Sequence, residues 1–340
     1  MPVDTPSLPS QRLAKPAHAL GYALVPTLLM LTLHLLAVAV PFLSPLTWQL
    51  VLVAVASYYL RMFGITAGYH RYFAHRAYRT SRWFQFVLAF LGGAATQKGA
   101  MWWAAHHRDH HRESDKPTDL HSPVQNSFLW SHVGWILDRS SDATQWHNLK
   151  DFKAYPELAW LDRWHWLPPA CWAAGLYAVG GLDWFLWGYV VSTVVLWHGT
   201  FVINSLAHVW GSRRFATTDD SRNNFWLALI TLGEGWHNNH HHYQSSARQG
   251  FFWWEIDGSY YALVVLSKLG VVWKLKAVPE RVLQPQMLQP KVVGSEAAQP
   301  AMAQRMQEAH AALAHEATVV LSEAAAYSSD LLAAPSGLKR

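Results

Sequence analysis

Two uncharged blocks constrain this chain of 340 residues more than any other feature. Residues 16–60 contain no Asp, Glu, Lys or Arg, and residues 164–212 contain only Asp183. A bilayer crossing takes ~20 apolar residues, and each block exceeds twice that length, so each suits two spans. Pro41 and Pro45 turn the first block, and Gly180-Gly181-Leu182-Asp183 turns the second. The expected fold is an all-α integral membrane protein with four transmembrane helices in two hairpins, at about residues 19–40, 46–65, 166–179 and 184–203. Tryptophan gathers near the block ends, as aromatic belts do at a lipid boundary. The first apolar run lacks a small-residue cleavage site and leads straight into another span, so it is expected to be an anchor.

Neither turn carries Lys or Arg, whereas Arg61, Arg71, Arg76, Arg79 and Arg82 crowd the other end of the second span. The positive-inside rule then puts both termini and the polar regions 66–163 and 204–258 in the cytoplasm, in the inner or plasma membrane if the source is bacterial. Those regions would form a helical cap. Apolar runs at residues 83–97 and 259–275 are short for a crossing and suit interfacial helices. Together these parts make a membrane domain over residues 19–278. Outside it, residues 1–18 read as a leader, 279–300 as a Pro- and Gln-bearing linker, and 301–340 as an amphipathic helical tail.

The single cysteine, Cys171, rules out an intrachain disulfide, an iron–sulfur cluster and a Cys-rich zinc site. Net charge is +5, but no basic stripe interleaved with aromatics marks a nucleic-acid surface. Histidine, by contrast, numbers 20. His107, His110 and His111 stand at i, i+3 and i+4, one face of a helix, and the spacing returns at His237, His240 and His241. His70 and His75 follow the second span; an i, i+5 pair leaves one face of a straight helix, so a distortion is expected between them. Asn204 and His208 lie one turn apart at the end of the fourth span. If residues 83–97 crossed the membrane, His70 and His107 would lie on opposite faces and could not share a site.

Nine imidazoles exceed the four ligands of a structural zinc site and suit two adjacent ions. Imidazole accepts iron, copper, nickel and zinc alike, so ligand type alone does not choose the metal. Glu234 is expected to accept a hydrogen bond from a ligating imidazole rather than bind the metal. His106 and His242 read as neighbours of the ligands, His34 and His198 as packed residues, and His310 and His315 as solvated. No His-Glu-x-x-His, Gly-x-Ser-x-Gly or Gly-rich phosphate loop occurs.

The boxes His70–His75, His107–His111 and Gly233–His241, with Asn204-Ser205-Leu206-Ala207-His208, resemble the membrane fatty-acid desaturases of the stearoyl-CoA delta-9 type. The likeness runs over roughly residues 45–265, in order, with the same plan of spans. It implies two iron ions held by His70, His75, His107, His110, His111, His208, His237, His240 and His241, with Asn204 acting through a water. It also implies a cis double bond, at delta-9, made in a saturated acyl chain with O2 as co-substrate. Animal acyl-CoA enzymes carry Arg-Asp before the second box, where the CoA headgroup is held. Here the pair is Ala105-His106, which leaves a lipid-linked chain open beside acyl-CoA. With no His-Pro-Gly-Gly segment and no flavin fingerprint, electrons are expected from a separate ferredoxin or cytochrome b5-type donor and its reductase. Trp102, Trp103 and Trp236 are expected to line an acyl tunnel. The alternatives are a di-iron acyl or alkane hydroxylase and a non-catalytic metal-binding membrane protein; ligands gathered at one membrane face count against a carrier.

Overall fold

The structure, a computed structural model, describes residues 21–284. The leader, all but the start of the linker, and the tail with His310 and His315 lie outside the described residues.

Helix α1 (Leu24–Leu43) and helix α2 (Trp48–Phe63) form from the first uncharged block, and Thr47 caps α2 by accepting from the Leu50 N–H. Helix α2 continues without interruption to Ala74, but over Gly64–Ala74 the winding is π rather than α. After a short extended segment, Ser81 caps helix α3 (Arg82–Gly93). Helix α3 lies so close to the π-wound stretch that a side chain at Gly64 would collide with the backbone of Leu91 and Gly92. Helix α4 (Ala100–Glu113) is capped from a distance: Asp162 at the end of helix α5 (Pro156–Arg163) accepts from the Met101 and Trp102 amides.

Four spans are expected from the sequence; among the described residues three helices are long and apolar enough to cross a membrane, Leu24–Leu43, Trp48–Ala74 and Leu167–His208. The third has 42 residues. Straight, it would measure about 63 Å, twice the ~30 Å hydrocarbon core. It is broken where the turn is expected: Gly180 and Gly181 leave helical geometry, and Gly181, at φ 65°, takes a conformation that favours glycine. On either side lie helix α6 (Leu167–Trp184) and helix α7 (Ser192–Asn204), joined by a π-wound turn at Phe185–Val191. Gly188 packs against the Leu176 side chain, so the chain runs back beside itself after the break.

Polar side chains within this apolar scaffold are paired. Arg61 is fully buried, and its guanidinium donates to Ser192 Oγ and Thr193 Oγ1, both at 2.6 Å, and to the Ala94 carbonyl. That satisfies a cation that would otherwise be costly to bury, and it ties α2 to α7. At the other ends of these helices Ser44 donates to Asp183 at 2.6 Å, joining the two turns.

The remaining polar chain carries helix α8 (Phe225–Ile230), helix α9 (His237–His242) and helix α10 (Gly258–Lys268); the side chains of Asn224 and Asp257 cap α8 and α10. Strands β1 (Arg79–Thr80) and β2 (Val272–Trp273) pair antiparallel and bring the end of this region back to the segment after His75.

Candidate metal centre

The distortion expected between His70 and His75 is the π-winding itself. The His75 amide donates to the His70 carbonyl, five residues back, at 3.1 Å. This wider turn brings side chains five apart onto one side, and such turns recur at functional sites.

Helices α4 and α9 then divide their histidines. His107 and His111 of α4 meet His240 of α9 and the His70–His75 pair, and the donor atoms of these five lie within 4.8 Å of one another. His110 of α4 meets His237 and His241 of α9, together with His208, within the same limit. His208 stands on a short 3-10 turn after α7 rather than one α-turn beyond Asn204. All nine expected histidines thus fall into two adjacent groups, of five and four.

Within the group of five, Nε2 atoms line up in sequence: His70 to His240 at 3.0 Å, His240 to His111 at 2.9 Å, His111 to His107 at 2.9 Å and His107 to His75 at 3.0 Å. In the group of four, His208 and His237 face each other at 3.0 Å. Metal–imidazole bonds of about 2.1 Å at right angles set neighbouring donors about 3.0 Å apart, and tetrahedral angles set them about 3.4 Å apart. Donors this close could share one ion.

The other ring nitrogens decide where the lone pairs point. Asp115 accepts from His208 Nδ1 at 2.9 Å, Asp119 from His110 Nδ1 at 3.0 Å, Asp219 from His241 Nδ1 at 2.7 Å, and Glu234 from His70 Nδ1. A proton held at Nδ1 leaves Nε2 free to ligate. His241 Nε2 is buried with no hydrogen-bond partner, a cost that a cation would remove. Burial, reinforced by neighbouring imidazoles, holds His75, His107, His111, His237 and His240 well below the ordinary histidine range. Burial also pulls His241 down to about 4 against the opposing pull of Asp219. Burial would depress His110 too, but Asp119 outweighs it and raises that group. Neutral imidazoles are the ligating form, so the six residues held low suit resident metal ions.

Glu234 does what its position suggests, and it is held in turn by Arg71, which also pairs with Asp257. Asp115, Asp119 and Asp219 escape the sequence reading. The first two lie just past the second box, but only the fold brings Asp115 to His208 and Asp219 to His241. His106 and His242 stay outside both groups: His106 bonds the Trp102 carbonyl, and His242 stacks on Phe215. His34 and His198 bond each other at 3.1 Å, and His198 bonds His132 at 2.9 Å.

Trp103 stacks on His107 at 4.7 Å and forms part of the wall of a cavity of about 1200 Å³. Trp102 and Asn204 share that wall. Trp236 does not; its indole donates to the Ile256 carbonyl, and the ring packs by Phe225.

Comparison with known proteins names this arrangement. The sequence model described as fatty acid desaturase matches residues 46–287, a stretch that contains both histidine groups. The chain belongs to the fatty acid desaturase family. It is an oxidoreductase of lipid metabolism, which removes the non-catalytic reading. A delta-9 acyl-lipid desaturase 1 of Arabidopsis thaliana is 36% identical over 74% of this chain and 82% of its own length. An sn-2 palmitoyl-lipid 9-desaturase of Nostoc sp. (strain 36) is 35% identical over 64% of this desaturase and 77% of its own. An acyl-CoA C20 delta5-desaturase of Anemone leveillei is 34% identical over 73% and 80%. The relatives thus differ in both carrier and double-bond position.

Proposed function

We propose that this desaturase introduces a cis double bond, at delta-9, into a saturated fatty acyl chain, using two iron ions and O2. The observation that carries the reading is Trp103, which stacks on His107 of the group of five and also lines the large cavity. In this reading His70, His75, His107, His111 and His240 hold one iron, and His110, His208, His237 and His241 hold the other, with Asn204 joining through a water. The broken third helix supplies two spans. The layout is then four spans in two hairpins, with both termini and the metal-bearing cap in the cytoplasm.

The irons supply the oxidising power that draws hydrogens from adjacent methylenes while dioxygen is reduced to water, with further electrons and protons from outside. The protein's own residues do the rest. The four carboxylates fix the imidazole rings and tautomers. The apolar wall beside Trp103 holds the chain in register and keeps bulk water from the oxidising centre. A ferredoxin or cytochrome b5-type donor with its reductase supplies the electrons.

Expression in a host, followed by fatty-acid analysis resolved by lipid class and with double-bond location, tests the reading. A new cis-delta-9 monoene supports it. An iron-loaded protein that yields no monoene in any lipid class, or that yields a hydroxylated chain instead, overturns it.

A further inference from the structure

The two histidine groups differ in access. His110, His208, His237 and His241 are all buried, whereas three of the five in the other group are half-buried. An ion bound for the group of four must pass through protein. Of the four, His110 lines a second cavity, of about 230 Å³. Helix α4 gives that cavity His106, Asp109, His110 and Glu113, which at i, i+3, i+4 and i+7 share one helical face.

Three polar atoms on the wall are buried without a hydrogen-bond partner: His106 Nε2, His121 Nδ1 and Trp135 Nε1. Their residues are 4%, 5% and 7% exposed. His106 donates from Nδ1 to the Trp102 carbonyl at 2.9 Å, so its Nε2 carries a free lone pair. His121 Nδ1 lies 4.0 Å from Asp119 Oδ1, too far for a hydrogen bond. Two donors bound to one ion at about 2.1 Å each lie up to about 4.2 Å apart, so an ion between them would satisfy both. Trp135 Nε1–H then suits a water that the ion carries.

Charge chooses the ligand. Asp109, Glu113 and Asp119 stand on the wall, with neither Lys nor Arg among the lining residues. Asp109 pairs with Arg112, and Glu113 with Lys116 at 3.6 Å, but both cations are 55% exposed. Ion pairs so exposed to water are weak, and a multivalent cation can displace them. Imidazole with carboxylate suits a divalent transition metal. A single water needs ~10–15 Å³ of such space, so the cavity admits an ion with waters still bound.

We propose that this cavity is a third metal site. It takes a divalent transition-metal ion on His121 and Asp119, with His106, Asp109 and Glu113 as further donors on the wall, and it is the port through which the group of four is filled past His110. The transfer is an exchange of ligands with no change of oxidation state. The site stands by itself; its role as a port rests on the group of four holding iron.

The experiment uses the full chain, purified in detergent and loaded with Fe2+, then dialysed against Co2+, with both metals counted. One Co2+ per chain above the retained iron is expected. No bound cobalt, or cobalt gained only as iron is lost, overturns the site. His121→Ala should weaken Co2+ binding by at least about tenfold at unchanged iron content. Glu113→Gln, at a half-buried position, keeps the test open if His121→Ala does not fold, and it should weaken binding severalfold. Unaltered Co2+ affinity in the folded variants overturns the site. For the port, metal-free protein is mixed with Fe2+ and uptake is stopped with a chelator at intervals. Glu113→Gln should slow the later half of uptake severalfold and leave the final iron content the same. An unchanged rate overturns the port; a parent protein that never takes more than one iron per chain overturns the assignment of the group of four instead.

Discussion

Asp219 accepts the Nδ1–H of His241 at 2.7 Å and leaves His241 Nε2 buried with no protein partner. A carboxylate in this role raises the basicity of the ring and fixes its direction. Asp219→Asn keeps an acceptor but removes the charge, so metal affinity in the group of four should fall by about 10–100-fold. Metal content after dialysis against a graded chelator checks this: about half of the metal should leave early, and the remainder should stay.

Loss of a ligand is a harsher change. His240→Ala removes a donor that sits between His70 and His111, at 3.0 and 2.9 Å. Desaturation should fall below detection while the protein stays in the membrane at its normal level. Turnover by a folded His240→Ala protein would show that the group of five is assigned wrongly.

Arg71 is 1% exposed and is shared by Glu234 and Asp257. Removing one partner of such a buried set strands the other charges, at a cost of about 3–5 kcal/mol. Arg71→Ala should therefore lower the unfolding temperature and the metal content together. His242→Ala, outside both groups, should move neither; thermal melts with metal analysis on the same samples compare them.

Acid should weaken the metal-free protein well above the range where carboxylates titrate. Burial holds five imidazoles below their unfolded pKa, so below about pH 6.5 the unfolded chain binds protons that the folded one refuses. Stability then rises with pH wherever the unfolded state binds more protons, by up to about 1.4 kcal/mol per pH unit for each group. His110, raised by Asp119, opposes this as a single group. The unfolding temperature of metal-free protein should drop steeply from pH 7 to pH 5; a flat profile would show that the imidazoles are not buried as described.

Trp103 lines the cavity and stacks on His107, whereas Trp102 lines it with its indole tied to the Ser141 carbonyl. Trp103→Ala should shift the double-bond position or the preferred chain length. Gas chromatography with mass spectrometry of the products reads the outcome, and unchanged products would reduce Trp103 to a packing residue.

The histidine groups were legible because side chains at i, i+3 and i+4 share one face of a helix, and α4 and α9 are helical over those residues. Even the i, i+5 pair carried its own warning, since only an altered turn can bring His70 and His75 to one side. Uncharged blocks and the Gly180-Gly181 turn were readable for a similar reason: lipid tolerates few alternatives. Asp115, Asp119 and Asp219 were not readable, because a carboxylate that reaches a ring 93, 9 or 22 residues away leaves no periodic trace. Trp236 misled because an aromatic beside a histidine box has the same composition whether it faces a substrate or, as here, the Ile256 carbonyl.

The contact between His70 and His240 spans 170 residues of chain, with the helix Leu167–His208 between its ends. A ribosome therefore releases His240 only after α2, α6 and α7 have emerged. During synthesis the early histidines stand without the partners that complete their group. The two histidine groups are consequently complete only late in synthesis, after the membrane helices have emerged.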